Sequence, residues 1–335
     1  MHGDDFVVSG TEEHLKIIED KFRSKYLTKI RGIIGPDSDD LKSIVMLNRV
    51  IEWSEIGINM EADQRHVELI LKQLEMEDCR GSDIVGSQVT LDENDEKMGS
   101  EEVTQFRSLA ARCNFLAADR IDMQFACKEV CRRMSGPCTS DWEMLKKMAK
   151  YMKAHPRLVV EFRFQEAPDA VQVYVDTDYA GCRRTRRSTN GGMAMLGGHL
   201  LKSWSTTQTV VALSSGEAEY YGVAKGACEG IGIAGIIEDL TGIRMKIEMA
   251  TDSSAAKGIA HRKGVGKVKH LETRTLWVQD QIARGRIKLS KIDGNFNPAD
   301  LMTKYLSGPR ITQLVQLLPL RFKQGRHKLV PQIQS

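Results

Sequence analysis

Two stretches of alternating apolar and polar residues constrain the fold of this chain more than any other feature. Residues 170–175 alternate and end at Asp176, and residues 245–251 alternate and end at Asp252. An alternation with a period of two predicts half-buried strands. The Gly-rich stretch 191–204 predicts a further pair of strands between them. With the helical patterns that intervene, this order predicts a mixed α/β sheet with helices on its faces.

Four acids stand at the ends of these predicted elements. Asp176 and Asp252 each end an apolar strand, and Glu219 lies in the first two turns of an apolar helix. Asp300 stands at the third position of a helix that Asn297 caps. Strand ends and helix starts meet at the rim of an α/β sheet, so we expect the four side chains to converge.

Four converging carboxylates repel one another and cannot all stay ionised without a counter-charge. A pair of divalent cations resolves that conflict, and Mg²⁺ prefers hard oxygen ligands together with substrate phosphate. Two such ions can hold the attacking and leaving oxygens of a phosphoryl displacement. The four acids therefore predict a two-metal site for phosphoryl chemistry.

Charge is divided unevenly along the chain. The net charge is +3, but residues 171–310 hold 20 Lys and Arg against 13 Asp and Glu, a net of +7. A basic half indicates a polyanion partner. Near a site for phosphoryl chemistry, two basic clusters are predicted to contact phosphates. They are Arg183, Arg184, Arg186 and Arg187 after the first strand, and Arg262, Lys263, Lys267 and Lys269 after the second.

Several classes of protein are excluded by what the sequence lacks. No apolar run approaches the roughly 18 residues of a membrane span. The acidic start does not have the order of charges of a signal peptide. The seven cysteines form no CxxC pair, so reduced thiols are expected rather than disulfides or a zinc site.

Composition and periodicity predict five consecutive segments. They are a mixed α and β region (1–76), an acidic flexible linker (77–103), a helical connection subdomain (104–165), the α/β domain (166–310) and a C-terminal tail (311–335). The tail is amphipathic at first, with Leu314, Leu317 and Leu318, and then basic and loose. The prediction of a linker rests on residues 80–103, which hold seven acids, two bases and no aromatic residue.

Seven motifs in the second half resemble the ribonuclease H domain of copia-type LTR retrotransposon Pol polyproteins. The match covers about 170–305. The motifs are Tyr174-Val-Asp-Thr-Asp-Tyr-Ala-Gly181, Ser188-Thr-Asn-Gly191, Ser203-Trp204-Ser205, Leu213-Ser-Ser-Gly-Glu-Ala-Glu-Tyr220, Thr251-Asp252-Ser253, Lys269-His270-Leu271 and Asn297-Pro-Ala-Asp-Leu-Met-Thr-Lys304.

The resemblance implies a fold and a chemistry. The fold is a ribonuclease H-like mixed five-stranded sheet flanked by helices. The activity is endonucleolytic hydrolysis of RNA in RNA–DNA hybrids, with two Mg²⁺ ions, replaceable by Mn²⁺, on Asp176, Glu219, Asp252 and Asp300. Lys269 and His270 are implied at the nucleic-acid surface, with His270 as a positioning residue.

Two assignments of the acids have close rivals. Asp178 lies two residues after Asp176, on the same strand face, and competes with it as the first ligand. Glu217 precedes Glu219, but the Ala-Glu-Tyr context favours Glu219, and Glu217 is left with the capping role.

The N-terminal half resembles other parts of the same polyprotein. Asp4 and Asp5, with apolar residues 6–8 directly after them, are similar to the aspartate-pair hairpin of a reverse transcriptase palm. The segments Leu47–Leu74 and Phe106–His155 are similar to a thumb and a connection. The upstream aspartate that completes a polymerase site is missing, so DNA polymerase activity is expected to be absent. Other parts of the polyprotein are expected partners.

The resemblance also implies an intracellular location, in cytoplasmic virus-like particles or in the nucleus. The alternative to the ribonuclease is a catalytically inactive, nucleic-acid-binding remnant of a retrotransposon polyprotein. Cleavage of a hybrid distinguishes the two, because the remnant would bind a hybrid without cutting it.

Overall fold

The computed structural model describes residues 6–88, 95–266 and 268–333. Within them lie ten strands and nine α-helices. The strands are β1 (Ser43–Met46), β2 (Arg49–Ser54), β3 (Gly57–Glu61), β4 (Arg157–Arg163), β5 (Ala170–Asp178), β6 (Thr189–Leu196), β7 (His199–Thr207), β8 (Lys246–Thr251), β9 (Ile287–Lys291) and β10 (Leu320–Lys323). The helices are α1 (Glu12–Lys25), α2 (Arg65–Gln73), α3 (Ser100–Leu116), α4 (Gln124–Cys131), α5 (Thr139–Ala154), α6 (Ser215–Thr241), α7 (Ser254–His261), α8 (Trp277–Ala283) and α9 (Gly308–Gln316).

The second sheet carries the predicted site, and its strand order is β7-β6-β5-β8-β9. Neighbours are antiparallel from β7 to β5 and parallel from β5 to β9. Parallel strands need crossover connections, which α6 and the α7–α8 pair supply. This sheet confirms the predicted mixed five-stranded sheet flanked by helices.

The first sheet has the order β1-β2-β3-β4-β10, and every neighbouring pair in it is antiparallel. Helices α2 to α5 lie between β3 and β4 in the chain and correspond to the helical patterns that the sequence shows. Strand β10 comes from the end of the chain. The strand that completes the first sheet therefore follows all the strands of the second sheet in sequence.

The two faces of the second sheet join different hydrophobic cores. One face packs with α6, α7 and α8 through apolar residues of β5, β8 and β9. Met193, Met195 and Leu200 on the opposite face belong to the core of α2–α5 and α9. The helices α6–α8 therefore cover one face of the second sheet, whereas the other core covers the opposite face at β6 and β7 and leaves Lys288 and Ser290 of β9 exposed.

Residues 1–42 and Ser43–Ser335 form two compact units. In the first unit, Thr11 caps α1 by accepting a hydrogen bond from the backbone N–H of His14, and every side chain of α1 is exposed or only partly buried. Phe6, Val7 and Val8 are exposed and lie in no strand, which does not match the hairpin resemblance. Asp4 and Asp5 lie outside the described residues. The larger unit includes parts of all five predicted segments, and their boundaries stay a prediction.

The acidic segment 77–103 differs from the expected flexible linker in the parts that are described. Val85 is buried in the first core, and the backbone of Ser82 donates to the carbonyl of Lys150 in α5 (3.0 Å). Asp95 accepts a hydrogen bond from the backbone N–H of Ser140 at 3.1 Å. Polar contacts to α5 hold this segment despite its lack of aromatic residues, because its acids find donors at the start of that helix.

The C-terminal tail is also ordered where it is described, up to residue 333. Helix α9 has Pro309 in its first turn and buries Ile311 and Leu314, which agrees with the amphipathic start of the tail. The prediction of a loose end is wrong for β10, because this strand pairs antiparallel with β4 and adds Leu320 to the first core. None of the helices among the described residues is long and apolar enough to cross a membrane.

We predict that Leu314→Ala destabilises the protein by about 2–5 kcal/mol. Leu314 is fully buried in the first core, and its removal leaves a cavity between α9 and the helices that cover the sheet. Urea unfolding, monitored by circular dichroism, measures the change in the free energy of unfolding.

Leu317→Ala is the matched control, because Leu317 comes directly after α9 and is 41% exposed. Its effect is expected to stay within about 0.5 kcal/mol. Equal losses in the two variants would show that α9 is not part of the core.

Candidate active site

Asp176 and Asp252 meet because β5 and β8 are parallel neighbours. Val175 of β5 pairs with Thr251 of β8, so the next residue on each strand is an aspartate at the same edge of the sheet. The carboxyl ends of parallel strands are where ligand sites form in open α/β sheets. This register agrees with the expectation from the sequence that Asp176 and Asp252 converge.

Glu219 reaches the same point from the start of α6. Glycines let this helix approach the sheet closely, since a Cβ at Gly226 would lie 2.4 Å from Cγ1 of Val175. Oxygens of Asp176, Glu219 and Asp252 all lie within 4.8 Å of one another. Oε2 of Glu219 is buried and has no hydrogen-bond partner in the part of the chain that the structure describes. A buried carboxylate oxygen without a donor leaves room for a cation.

Burial raises the pKa of all three carboxyl groups, because it penalises the charged form. The pKa of Glu219 rises to about 9, chiefly by burial and then by the charges of Asp176 and Asp252. Burial also raises the pKa of Asp176 to about 6, although the charge of Lys304 and the hydrogen bond from Thr303 oppose the rise. Burial and then the charge of Asp300 raise the pKa of Asp252. A divalent cation would reverse these shifts, so the three acids fit such an ion.

Asp300 lies beside this group, on a short 3₁₀-helix over Pro298–Met302. Its two oxygens are held by two cations: Nζ of Lys304 lies 2.6 Å from Oδ1, and Nη2 of Arg310 lies 2.7 Å from Oδ2. Lys304 is also 3.7 Å from Oδ2 of Asp176. The fourth predicted acid therefore joins the other three through a lysine.

Two polar side chains fix the 3₁₀-helix to the end of β5. The amide of Asn297 donates to the carbonyl of Val175 at 2.9 Å, and its oxygen accepts from the backbone N–H of Ala299. The hydroxyl of Thr303 donates to Oδ2 of Asp176. Both contacts place Asp300 next to Asp176, and the predicted Asn297 cap is present.

The structure separates the two pairs of rival acids. Asp178 is not in the group of three, and the nearest charges around it are those of Lys304, Lys128 and Glu129. Glu217 accepts from the backbone N–H of Leu213 (2.8 Å), while Ser214 accepts from the N–H of Glu217. Glu217 thus closes the start of α6, and Glu219 faces the other acids.

His270 is tied to this helix start rather than to the acids. Its Nε2 lies 2.7 Å from Oε2 of Glu217. Glu217 also accepts from the hydroxyl of Tyr221 at 3.1 Å. His270 can therefore position α6, and hence Glu219, while its half-exposed ring faces outward.

The predicted basic clusters lie on the surface. Arg183, Arg184, Arg186 and Arg187 are all exposed in the turn between β5 and β6. Lys263 and Lys269 are exposed as well, whereas Arg262 donates to the carbonyl of Val265 inside its own loop. Lys267 lies outside the described residues. The arginine turn starts five residues after Asp178, the last residue of β5, and so projects from the edge that bears the acids.

Sequence reasoning missed three residues that contact the acids: Thr303, Lys304 and Arg310. Lys304 comes four residues after Asp300, a spacing that places two side chains on one face of a helix. That signal was present in the motif, but the contact of Arg310 depends on how α9 packs and leaves no local pattern.

A second group of possible ligands lies on the first sheet, where Glu52, Glu61 and His327 offer atoms within 4.8 Å of one another. Arg157 already holds Glu61 with two hydrogen bonds of 2.7 Å. Lys323 lies 3.7 Å from Glu52 and 3.9 Å from Glu61. Because these cations neutralise the group internally, it does not need a metal ion.

The chain is similar to several proteins of transposon origin, although no family model matches it. Over 207 residues it is 27% identical to the retrovirus-related Pol polyprotein from transposon RE2 of Arabidopsis thaliana, which is 61% of this chain and 14% of that protein. Over 190 residues it is 26% identical to the retrovirus-related Pol polyprotein from transposon TNT 1-94 of Nicotiana tabacum, 56% of this chain and 14% of that one. The resemblance to retrovirus-related Pol polyproteins of copia-type transposons is therefore confirmed.

A shorter relative has a higher sequence identity to this chain. The uncharacterized mitochondrial protein AtMg00810 of Arabidopsis thaliana is 35% identical over 130 residues, 38% of this chain and 52% of that protein. The chain therefore spans about half of this relative and a small part of each polyprotein.

Solved ribonuclease H structures are similar to parts of this chain, with low sequence identities and low TM-scores. LC11-RNase H1, isolated from compost, is 18% identical with a TM-score of 0.28 and covers 40% of this chain and 93% of its own. The N-terminal RNase H domain of rv2228c from Mycobacterium tuberculosis is 17% identical with a TM-score of 0.29, and covers 44% and 96%. The fold assignment rests on the strand order of the second sheet.

We predict that, in the presence of a chelator, the free energy of unfolding falls as pH rises from about 5 to about 9. The folded pKa values of Glu219 (about 9) and Asp176 (about 6) lie above their ordinary values of 4.5 and 3.8. The folded protein therefore binds more protons than the unfolded chain in this window, so stability is lost as these protons leave. Glu219→Gln removes most of the fall and should melt at least about 3 °C above wild type at pH 9.

Differential scanning calorimetry over a pH series measures this effect. Glu238→Gln is the matched control, because Glu238 is exposed on the same helix. It should keep the slope of the wild type. The assignment of the raised pKa to Glu219 is wrong if Glu219→Gln keeps that slope too.

Proposed function

We propose that this Pol segment hydrolyses the RNA strand of RNA–DNA hybrids, with divalent cations held by Asp176, Glu219, Asp252 and Asp300. One observation carries the proposal: three carboxylates with raised pKa values lie within 4.8 Å of one another at the carboxyl ends of β5 and β8. Similarity to the copia-type Pol polyproteins supports it, as does the exposed arginine turn that follows β5.

The donor set suits Mg²⁺, with Mn²⁺ as a substitute, since all the ligands are carboxylate oxygens. Asp176, Glu219 and Asp252 would hold one ion, and Asp176 with Asp300 the second. Bound divalent ions supply the positive charge that activates a water molecule and stabilises the leaving oxygen of a phosphodiester. The products would be a 3′-hydroxyl and a 5′-phosphate.

The remaining residues would position the substrate and the acids. The exposed arginines of the turn 183–187 would contact phosphates of the hybrid, which carry no sequence information. A hybrid is recognised by its shape, phosphates and 2′-hydroxyl groups, so no base-reading element is needed. Glu217 and His270 keep the start of α6 in place, while Asn297 and Thr303 keep Asp300 next to Asp176.

We predict that Asp252→Asn and Asp176→Asn each lower hybrid cleavage at least 10–100-fold, roughly the loss caused by removing a residue that supports a metal ligand. Each change keeps the shape of the side chain but removes a ligand charge. The measurement is Mg²⁺-dependent cleavage of a hybrid with labelled RNA, with a chelator reaction as blank.

Two controls sharpen this test. Asp178→Asn should keep activity within a few-fold, because Asp178 is outside the group of three acids. Asp280→Asn removes an exposed acid of α8 and should have no effect. Loss of activity in Asp178→Asn with survival in Asp176→Asn would reverse the assignment of the first ligand. Binding without cleavage by the wild type would favour the inactive remnant.

We also predict that changing Arg183, Arg184, Arg186 and Arg187 to Ala weakens hybrid binding and flattens its salt dependence. Each neutralised phosphate contributes about −0.9 to the slope of log affinity against log salt for duplex DNA, and a hybrid is expected to be similar. The slope should therefore change by about two to four. Fluorescence anisotropy of a labelled hybrid over a salt series measures it.

The matched control changes the same four arginines to Lys. It keeps the charge and should keep most of the slope, because counterion release depends on charge. Binding of Mg²⁺ should be the same in both variants. An unchanged slope in the Ala variant would mean that the turn is a solvated loop without phosphate contacts.

The other inferences from the resemblance remain proposals. Asp4 and Asp5 lie outside the described residues, and we expect no DNA synthesis by this chain. Other parts of the polyprotein are proposed partners, and an intracellular location, in cytoplasmic particles or in the nucleus, is proposed as well.

A further inference from the structure

Lys304 lies between two of the acids that the proposed function assigns to metal binding. Its Nζ is 2.6 Å from Oδ1 of Asp300 and 3.7 Å from Oδ2 of Asp176. A divalent ion shared by these two aspartates would need the same space and the same lone pairs. The ammonium group of Lys304 thus already places a positive charge where such an ion would bind.

The second cation on Asp300 is held much more firmly. Arg310 donates to Oδ2 of Asp300 (2.7 Å), to the carbonyl of Gly294 (2.9 Å) and to the carbonyl of Asn295 (2.7 Å). Four groups, counting Gln313 at 2.9 Å, fix the guanidinium in place. A rigid fork with several acceptors is costly to move, so Arg310 is a lasting partner of Asp300.

Lys304 has the properties of an exchangeable partner. Among the described residues its only ion-pair partners are Asp176 and Asp300, and 44% of its side chain is exposed. Its flexible four-carbon stem lets the ammonium swing into water at little cost. The group of Asp176, Glu219 and Asp252 differs from the Asp176–Asp300 pair. Among the described residues, no partner of Oε2 of Glu219 would have to be displaced by an ion.

We propose that Lys304 is an internal cation that a divalent ion must displace before it can bind between Asp176 and Asp300. An ion at Asp176, Glu219 and Asp252 binds without that displacement. The two cation positions therefore differ in affinity in the free protein, and Lys304 sets the difference. This inference rests on the proposed function, because it assigns the same acids to two ions.

Binding of Mn²⁺ to the full chain, measured by electron paramagnetic resonance of the free ion, tests the inference. The wild type should bind one ion tightly and a second more weakly. Lys304→Met should narrow the gap between the two affinities by about 10-fold, since a unit charge a few ångströms away is removed. Lys304→Arg keeps the charge and should keep the gap.

Lys288→Met is the matched control for the loss of one positive charge. Lys288 pairs with Glu248 between β9 and β8, and 75% of its side chain is exposed. Its affinities for both ions should stay within about 2-fold of the wild type, because solvent screens an exposed charge. Lys304→Gln, measured in the same way, decides the question if Lys304→Met does not fold.

The inference is overturned if Lys304→Met and Lys304→Gln leave the difference between the two Mn²⁺ affinities unchanged. It is also overturned if the wild type binds no divalent ion. Hybrid cleavage by the wild type, assayed in parallel, separates this result from the proposed function. Cleavage with an unchanged gap leaves the function standing without the role of Lys304. A narrowed gap without cleavage supports Lys304 and contradicts the ribonuclease activity.

Discussion

The mutual repulsion of buried carboxylates is the constraint on which the rest of the site depends. Asp176, Glu219 and Asp252 are brought together where water is largely excluded, and burial raises the pKa of each of them. Thr303, Lys304 and Arg310 counter this repulsion where they hold Asp176 and Asp300. In the same group, Oε2 of Glu219 has no hydrogen-bond partner among the described residues. The partners of Asp176 and Asp300 allow the site to form, and the oxygen of Glu219 remains able to bind a cation.

The position of the acids depends on packing that extends well beyond the second sheet. Glycines of α6 let Glu219 approach β5 on one face, and Met193, Met195 and Leu200 join the helical core on the other. The same core takes in α9, whose Arg310 holds Asp300. The helices before the sheet and the tail after it thus support the geometry of the acids.

Local patterns were sufficient for the elements that place the acids. The alternation before Asp176 and Asp252 marked both strands, and Ser214 marked the start of the helix that carries Glu219. The prediction of a loose end to the chain failed for an identifiable reason. Pairing of β10 with β4 joins residues about 160 positions apart, and such long-range pairing has no local signal.

The sequence by itself determined the two strands that end at Asp176 and Asp252, the helix that carries Glu219, the choice of four candidate acids and the capping of α6. Each of these depends on residues that are neighbours in the chain or repeat with the period of a strand or a helix. Only the tertiary structure decided that Asp178 stays outside the group of three acids, that α9 brings Arg310 to Asp300, and that Lys304 lies between Asp300 and Asp176. Those outcomes depend on distances between elements remote in sequence, and such distances are set by the packing of the whole core.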